Sequence, residues 1–215
     1  MLALALALLA TPAAAMELTH DVEAGDQRLL MGMASEPLFT ASLGYARGVA
    51  VRGHDLTVAG SVTLPLHLMD GRHQRVELSA RATLAEWRGL RLDARLGLGE
   101  QSTRSHLFSG VSLTTRATLV GGWFPERGFI ALEATTQWNP ATWMAPSSFY
   151  LDAVHPEAQA GWYASTAAYQ TFALQGGVVV RERLEIGARV GVDTTLRGGS
   201  RTAPVAMGLG VGWRL

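Results

Sequence analysis

The sequence of 215 residues contains no cysteine. A disulfide framework and a thiolate metal site are therefore both excluded. Charged residues make up only 17% of the chain, below the average of about 25% for soluble domains. The 18 acidic residues cancel the 18 basic ones, so the composition gives no electrostatic reason to expect a nucleic acid partner.

After residue 15, no apolar run reaches the length of about 20 residues that a membrane-spanning helix needs. The first fifteen residues differ from the rest: residues 2–9 are an apolar run, Pro12 interrupts it, and residues 13–15 form an A-x-A cleavage site. We expect residues 1–15 to be a signal peptide and residues 16–215 to form a single exported domain. A short buried N-terminal helix is the alternative, because no Lys or Arg precedes the apolar run.

What the chain does have is alternation with a period of two residues. From Val205 to Leu215 every odd position is large and apolar, whereas the positions between them are Ala, Gly or Arg. Successive side chains of a strand point to opposite faces, so this stretch is a strand with one apolar face and one small face.

The same alternation recurs along the whole chain. It predicts nine strands, and a weaker stretch at residues 27–34 would make ten. Bacterial single-chain barrels have even strand numbers, so we expect ten strands, with eight as the alternative. Seven strands are clear: residues 55–68, 75–84, 90–99, 107–119, 130–138, 184–193 and 205–215. Two alternate less regularly, residues 37–51 and 167–180.

The positions of the tryptophans favour a membrane barrel over a soluble sandwich, which also alternates. Threading ten strands up and down across a membrane places tryptophans at both ends of the strands, as in the aromatic girdles of membrane barrels. It also makes all connections at the periplasmic end short. The predicted girdle residues are Trp87, Trp123 and Trp213 at the periplasmic end, and Trp138 and Trp162 at the outer end.

In this pattern the chain resembles the small outer-membrane β-barrel proteins of Gram-negative bacteria. The resemblance implies an all-β fold, a closed antiparallel transmembrane β-barrel of eight to ten strands in the bacterial outer membrane. It also implies contact with outer-membrane lipid and lipopolysaccharide, and insertion by the barrel-assembly machinery. Such proteins usually end in an aromatic residue, whereas this chain ends in Leu215, two residues after Trp213.

Charged residues of both signs recur on the faces predicted to point inward. Cross-strand ion pairs would neutralise them and fill a narrow lumen. The alternative is a narrow pore in which an excess of arginine favours small anions. The predicted lumen-lining residues are Arg75, Glu77, Arg81, Arg91, Asp93, Arg95, Arg116, Glu133, Glu185, Arg189 and Asp193.

Histidines and carboxylates gather near the predicted outer rim. They lack a tight ligand spacing such as H-E-x-x-H, and no serine elbow of the G-x-S-x-G kind occurs. We therefore expect no metal, no cofactor and no catalytic residue, with a rim hydrolase as the least favoured alternative. The rim residues are His67, Asp70, His73, Glu100, His106, Asp152, His155 and Glu157.

One long connection, at about residues 139–161, is predicted to lie outside the membrane. Its Trp143, Phe149 and Tyr150 are large apolar side chains, which we expect to pack against another surface. They are predicted to fold down as a cap over the barrel mouth, to contact a partner, or to rest on lipopolysaccharide. The sequence thus favours a non-enzymatic barrel that is structural or mediates interactions through its outer loops, ahead of a narrow channel.

Overall fold

A computed structural model describes residues 22–36, 38–66, 74–164, 168–195 and 205–215. The predicted signal peptide lies outside these residues. Within them, no helix has both the length and the apolar character needed to cross a bilayer.

The described residues are almost entirely β-strand, as the alternating sequence predicts. One short helix, α1, covers Ser148–Ala153. The strands are β1 Gln27–Glu36, β2 Leu38–Val51, β3 His54–Pro65, β4 Arg75–Trp87, β5 Leu90–Arg104, β6 Phe108–Trp123, β7 Gly128–Pro146, β8 Gly161–Ala164, β9 Ala168–Val180, β10 Leu184–Thr195 and β11 Val205–Arg214.

Ten of these strands form a closed antiparallel barrel. Each pairs with the next along the chain, β7 pairs with β9, and β11 pairs with β1 to close the ring. The short β8 pairs only with the outer part of β7. The predicted number of ten strands is confirmed, and the weak candidate at residues 27–34 is the strand that closes the barrel.

The barrel is apolar outside and polar inside, the reverse of a water-soluble sandwich. Leu96 on β5 and Leu132 on β7 are both 68% exposed on the outer surface. Asp93 and Glu185 point inward and are only 1% and 2% exposed. Closure is what allows this arrangement, because a closed sheet leaves no unpaired backbone edge in hydrocarbon.

Two β-bulges shift the alternation in ways that periodicity alone does not reveal. In β4 the register shifts between Thr83 and Ala85, and the shift turns Trp87 outward although it lies in the inward phase of the strand's first half. In β7 the extra residue lies opposite the step from Leu113 to Thr115 of β6. Pro140 occurs there, where its missing N–H costs no regular ladder bond.

The connections at one end of the barrel are short. The turns after β2 and β4 have two residues each, both with positive φ: Arg52 and Gly53, and Arg88 and Gly89. This is the geometry of type I′ hairpin turns. The first residue of β1 and Leu215 lie at this same end, where the N–H of Leu215 donates to the carbonyl of Gln27. In a bacterial barrel it is the periplasmic end.

Candidate functional site: the charged lumen and the outer hairpin

The structure places all eleven predicted lumen-lining residues on the inward face of the barrel. Most are buried, and Arg81, Arg95 and Glu133 are the most accessible, at 11–14% exposed side chain. Arg28 of β1 joins them, with its guanidinium 2.9 Å from the carboxylate of Glu185. Sequence reasoning missed Arg28 because β1 alternates only weakly.

In the β4–β6 region, one carboxylate serves three guanidinium groups. Glu77 pairs with Arg75, with Arg95 at 2.5 Å and with Arg116 at 3.6 Å. Arg116 also donates to the side-chain carbonyl of Gln137 on β7, at 3.3 Å. These contacts link the four neighbouring strands β4 to β7 along the inner wall of the barrel.

The glycines of β5 make room for this network. A Cβ on Gly97 would lie 2.8 Å from Oε1 of Glu77, and one on Gly99 would lie 2.5 Å from the backbone carbonyl of Val76. Any larger residue at these positions would displace the carboxylate or the neighbouring strand. The side chain of Glu77 and the backbone of β4 therefore occupy the space beside these two glycines.

A second network lies around Asp93, which is fully buried. Its carboxylate accepts from Arg81 at 2.7 Å, from Arg91 at 3.1 Å and from the hydroxyl of Thr83 at 2.8 Å. The guanidinium of Arg91 also lies over the ring of Phe124, 4.0 Å from its centre, which is a cation–π contact.

On the other side of the barrel, Glu133 of β7 pairs with Arg189 of β10. The two nitrogen–oxygen distances are 2.9 and 3.3 Å, which is the bidentate geometry that makes arginine pairs strong. Thr135 donates to the same carboxylate at 2.8 Å. Asp193, further along β10, accepts from the hydroxyl of Thr171.

Together these side chains pack the part of the lumen that the structure describes. Gln137 and Gln175 are among the largest fully buried side chains. An inner cavity lined by Ser79, Arg81 and Arg95 measures only about 30 Å³, which is the space of roughly one water molecule.

The predicted girdle residues face outward, with one correction. Trp87, Trp123 and Trp213 lie at the periplasmic ends of their strands and are exposed. Trp138 lies at the outer end of the apolar band, eight residues (138 − 130) beyond the position that pairs with Trp123. At about 3.3 Å per residue and a tilt of about 40° this spans roughly 20 Å. Trp162 pairs with Trp143, further out along β7, so it is not level with Trp138.

The long outer loop predicted at residues 139–161 is wrong in extent. Residues 139–146 continue β7, and residues 141–144 pair with β8, so only residues 147–160 connect the two strands. We call residues 141–164 the outer hairpin. Its Trp143 lies in a strand and not in a loop, because the bulge at Pro140 lets the β7 ladder continue past the membrane.

The predicted cap over the barrel mouth is also not what the structure shows. Helix α1 buries none of its residues, and Phe149 within it is 59% exposed. Tyr150 is half-buried. Ser147 caps the helix by accepting from the N–H of Tyr150 and docks it by donating to the carbonyl of His106 at 2.6 Å. The hairpin thus presents aromatic side chains to its surroundings.

The rim histidines do not assemble a metal site among the described residues. No group of three histidine or acidic side chains there is arranged to hold an ion. His155 is part of the outer hairpin, and the carbonyl of His106 accepts from its Ser147. His67, Asp70 and His73 lie outside the described residues.

Neither a family model nor a curated protein matches the sequence, but solved structures do. An outer membrane channel from Pseudomonas putida F1 is 8% identical, with 95% of this chain and 99% of that chain covered and a TM-score of 0.50. The N-terminal β-barrel domain of Pseudomonas aeruginosa OprF is 14% identical, with 89% and 98% covered and a TM-score of 0.37. The translocator domain of the autotransporter NalP from Neisseria meningitidis is 11% identical, with 92% and 91% covered and a TM-score of 0.42.

Of these three, only the P. putida protein reaches a TM-score of 0.5, and at 8% identity the likeness supports the fold alone. The closed ring, the apolar exterior with aromatic residues at its edges and the charged interior agree with that fold. The described residues have the fold of an outer-membrane β-barrel.

Proposed function

We propose that this barrel is a non-enzymatic membrane protein, structural or interaction-mediating, whose lumen is closed and whose contacts are made by the outer hairpin. The observation that carries the proposal is the burial of the inward charges. An aqueous pore would leave such side chains accessible to water, but Asp93, Glu185 and Arg189 are almost completely buried by their partners.

A narrow anion channel is the second candidate, and the charge balance of the lumen favours it. Seven arginines and five carboxylates line the described lumen, an excess of two arginines. The P. putida protein of similar fold is described as an outer membrane channel. The arginines are Arg28, Arg75, Arg81, Arg91, Arg95, Arg116 and Arg189, and the carboxylates are Glu77, Asp93, Glu133, Glu185 and Asp193.

Planar-bilayer recording separates these two functions. The closed barrel is expected to pass almost no current, because the inward side chains fill the described lumen and bury its charged groups. Steady openings that select for anions and shrink in Arg91→Gln or Arg189→Gln would support the channel and contradict the closed barrel. The empty bilayer and a heat-denatured sample of the protein serve as controls.

The outer hairpin is the surface through which the closed barrel would act. Phe149, Val154 and Trp162 are all more than half exposed, although burying a large apolar side chain is worth about 1.5–3 kcal/mol. We propose outer-membrane lipid and lipopolysaccharide as the neighbours of this surface. We also propose insertion by the barrel-assembly machinery, because the fold is that of an outer-membrane β-barrel. No contact among the described rim residues supports a hydrolase.

Replacing residues 147–160 with a short Gly-Ser turn is expected to leave the barrel folded, because these residues lie outside the paired strands of the ring. The free energy of unfolding in urea should change by less than about 1 kcal/mol. In the full-length chain, a photo-crosslinking residue at position 149 should form adducts with lipopolysaccharide in cells. Leu132 on the lipid face provides the matched control position.

Adducts with lipopolysaccharide at position 149 but with phospholipid at position 132 would support the proposed role of the hairpin. The same crosslinking residue at position 162 gives a second test. The absence of adducts at both position 149 and position 162 would contradict the proposed role. Loss of the folded barrel on shortening would show that the hairpin is needed for stability and is not a separate contact surface.

A further inference from the structure

The residues just before β1 do not leave the barrel but turn into its periplasmic mouth. Residues 22–26, which we call the N-terminal turn, pair with the inner side of β2. The N–H of Gly25 donates to the carbonyl of Gly48, and the N–H of Gly48 donates to the carbonyl of Asp26, both at 3.0 Å. The N–H of Asp26 donates back to the carbonyl of Glu23 at 2.9 Å, which closes the turn.

Gly48 is the seat of this turn. A Cβ at position 48 would lie 1.9 Å from the carbonyl oxygen of Glu23 and 2.7 Å from that of Val22. Both contacts are with backbone, so no change of rotamer could relieve them. Only glycine at position 48 allows the turn to lie where it does.

The N-terminal turn separates two spaces. Val22 is 8% exposed and lines the inner cavity of about 30 Å³, together with Ser79 and Arg95. Glu23 and Asp26, on the other side of the turn, line a cavity of about 270 Å³ at the periplasmic mouth. The turn thus separates the inner cavity beside Ser79 from the periplasm, whereas Arg28 and Glu185 line the cavity at the mouth directly.

Among the described residues, fewer hydrogen bonds hold the turn than hold the strands around it. Besides the two hydrogen bonds to Gly48, Asp26 pairs with Arg214 at 2.7 Å, and that arginine is 43% exposed. Exposed ion pairs contribute little, and segments with few buried contacts open more readily than the whole fold unfolds. The turn can therefore leave its seat while the barrel stays closed as a sheet.

We propose that the N-terminal turn is a releasable plug of the periplasmic mouth, docked on β2 at Gly48. Release exposes Ser79 and the arginines beside it to the periplasm. The inference goes beyond the proposed function, since it concerns access to the lumen from one end and holds whether or not the lumen conducts.

Thiol labelling tests the plug, because the chain contains no cysteine of its own. Single cysteines at Val22 and Ser79 should react slowly with a polar maleimide in the folded, detergent-solubilised protein, and a cysteine at the exposed Ala24 should react fast. Adding Gly48→Ala should raise the labelling rate at positions 22 and 79 roughly tenfold or more, because it removes the docked state. Gly44→Ala is the matched control on the same strand and face, since its Cβ would meet atoms no nearer than 3.1 Å.

Three results would overturn the proposal. Fast labelling of Val22→Cys or Ser79→Cys in the otherwise unchanged chain would show that the turn is not seated. Slow labelling at both positions with Gly48→Ala would show that Gly48 is not the seat. Fast labelling at position 22 with slow labelling at position 79 would show that the turn does not close the lumen.

A second variant covers the case in which Gly48→Ala fails to fold, as judged by the heat-modifiable gel shift. A mature chain that begins at Asp26 lacks the plug but keeps the Asp26–Arg214 pair and every strand. Its Ser79→Cys derivative should label as fast as expected for Gly48→Ala. Protection of position 79 in this folded, shortened chain would overturn the proposal on its own.

Discussion

Glu77→Gln is expected to lower the free energy of unfolding by about 3–5 kcal/mol, the usual cost of removing one partner from a buried ion pair. The substitution keeps the shape of the side chain but removes the single carboxylate that Arg75, Arg95 and Arg116 share. The three guanidinium groups would then lose the carboxylate that they share and would repel one another more strongly. Urea unfolding in lipid vesicles, followed by tryptophan fluorescence, measures the change.

The partner substitution tells whether charge is the cause. Adding Arg75→Gln to Glu77→Gln removes one of the stranded cations, so the double variant should lose less than the sum of the two single variants. Asp152→Asn on the exposed helix α1 is the control and should change stability by less than about 0.5 kcal/mol. A Glu77→Gln protein as stable as the parent would mean that the lumen is hydrated and that the packed-lumen proposal is wrong.

Ala94→Arg is expected to cost about 2–4 kcal/mol, because it places a charge on the lipid face near the middle of the apolar band. Ala94 lies on the outward face of β5, four residues from Leu90 beside the periplasmic tryptophans and four residues from Leu98 at the level of Trp138. The arginine would have to reach across roughly half the band to find water. The same unfolding measurement in vesicles detects the loss.

Leu90→Arg provides the matched control at a different depth. Leu90 lies on the same strand and the same face, but it pairs with Trp87 on one side and Trp123 on the other. At the interface the cost of an arginine falls to about 0–1 kcal/mol. Equal costs at positions 90 and 94 would contradict the assignment of the membrane band, and thus the girdle that defines it.

Local alternation predicted much of the barrel because it is a property of the backbone. In β10, Ile186, Val190 and Val192 had to share one face whatever their neighbours were, and the structure has all three pointing outward. The inward direction of Glu185 and Arg189 followed from the same rule. A face that is apolar on strand after strand, with tryptophans near strand ends, already distinguished lipid from a protein core.

Other features depend on which residues of distant strands meet. The pairing of Glu133 with Arg189 joins residues 56 positions apart, and Glu185 with Arg28 joins residues 157 positions apart. A list of inward charges does not determine these partners, because they depend on the register between strands. The chain also contains no lysine, so every cation has the planar, multidentate guanidinium that lets one carboxylate serve several partners.

The bulges and the outer hairpin show where the sequence rule fails. Trp87 occupies the inward phase of the first half of β4, and only the extra residue near Leu84 turns it to the lipid. Residues 139–146 read as a loop because Asn139 and Pro140 break the alternation, yet the strand continues after one irregular step. A bulge has no fixed sequence signature, since it is an adjustment to the twist and register of the neighbouring strand.

The sequence by itself predicted a transmembrane barrel, favoured ten strands over eight, and determined which side chains of a strand share a face, because a strand has a period of two residues in any environment. The tertiary structure decided the rest: the closure of β1 on β11, the ion-pair partners that fill the lumen, the outward turn of Trp87, and the docking of the N-terminal turn on Gly48. Each of these depends on the distance between segments remote in sequence, and only the register of the closed barrel sets that distance.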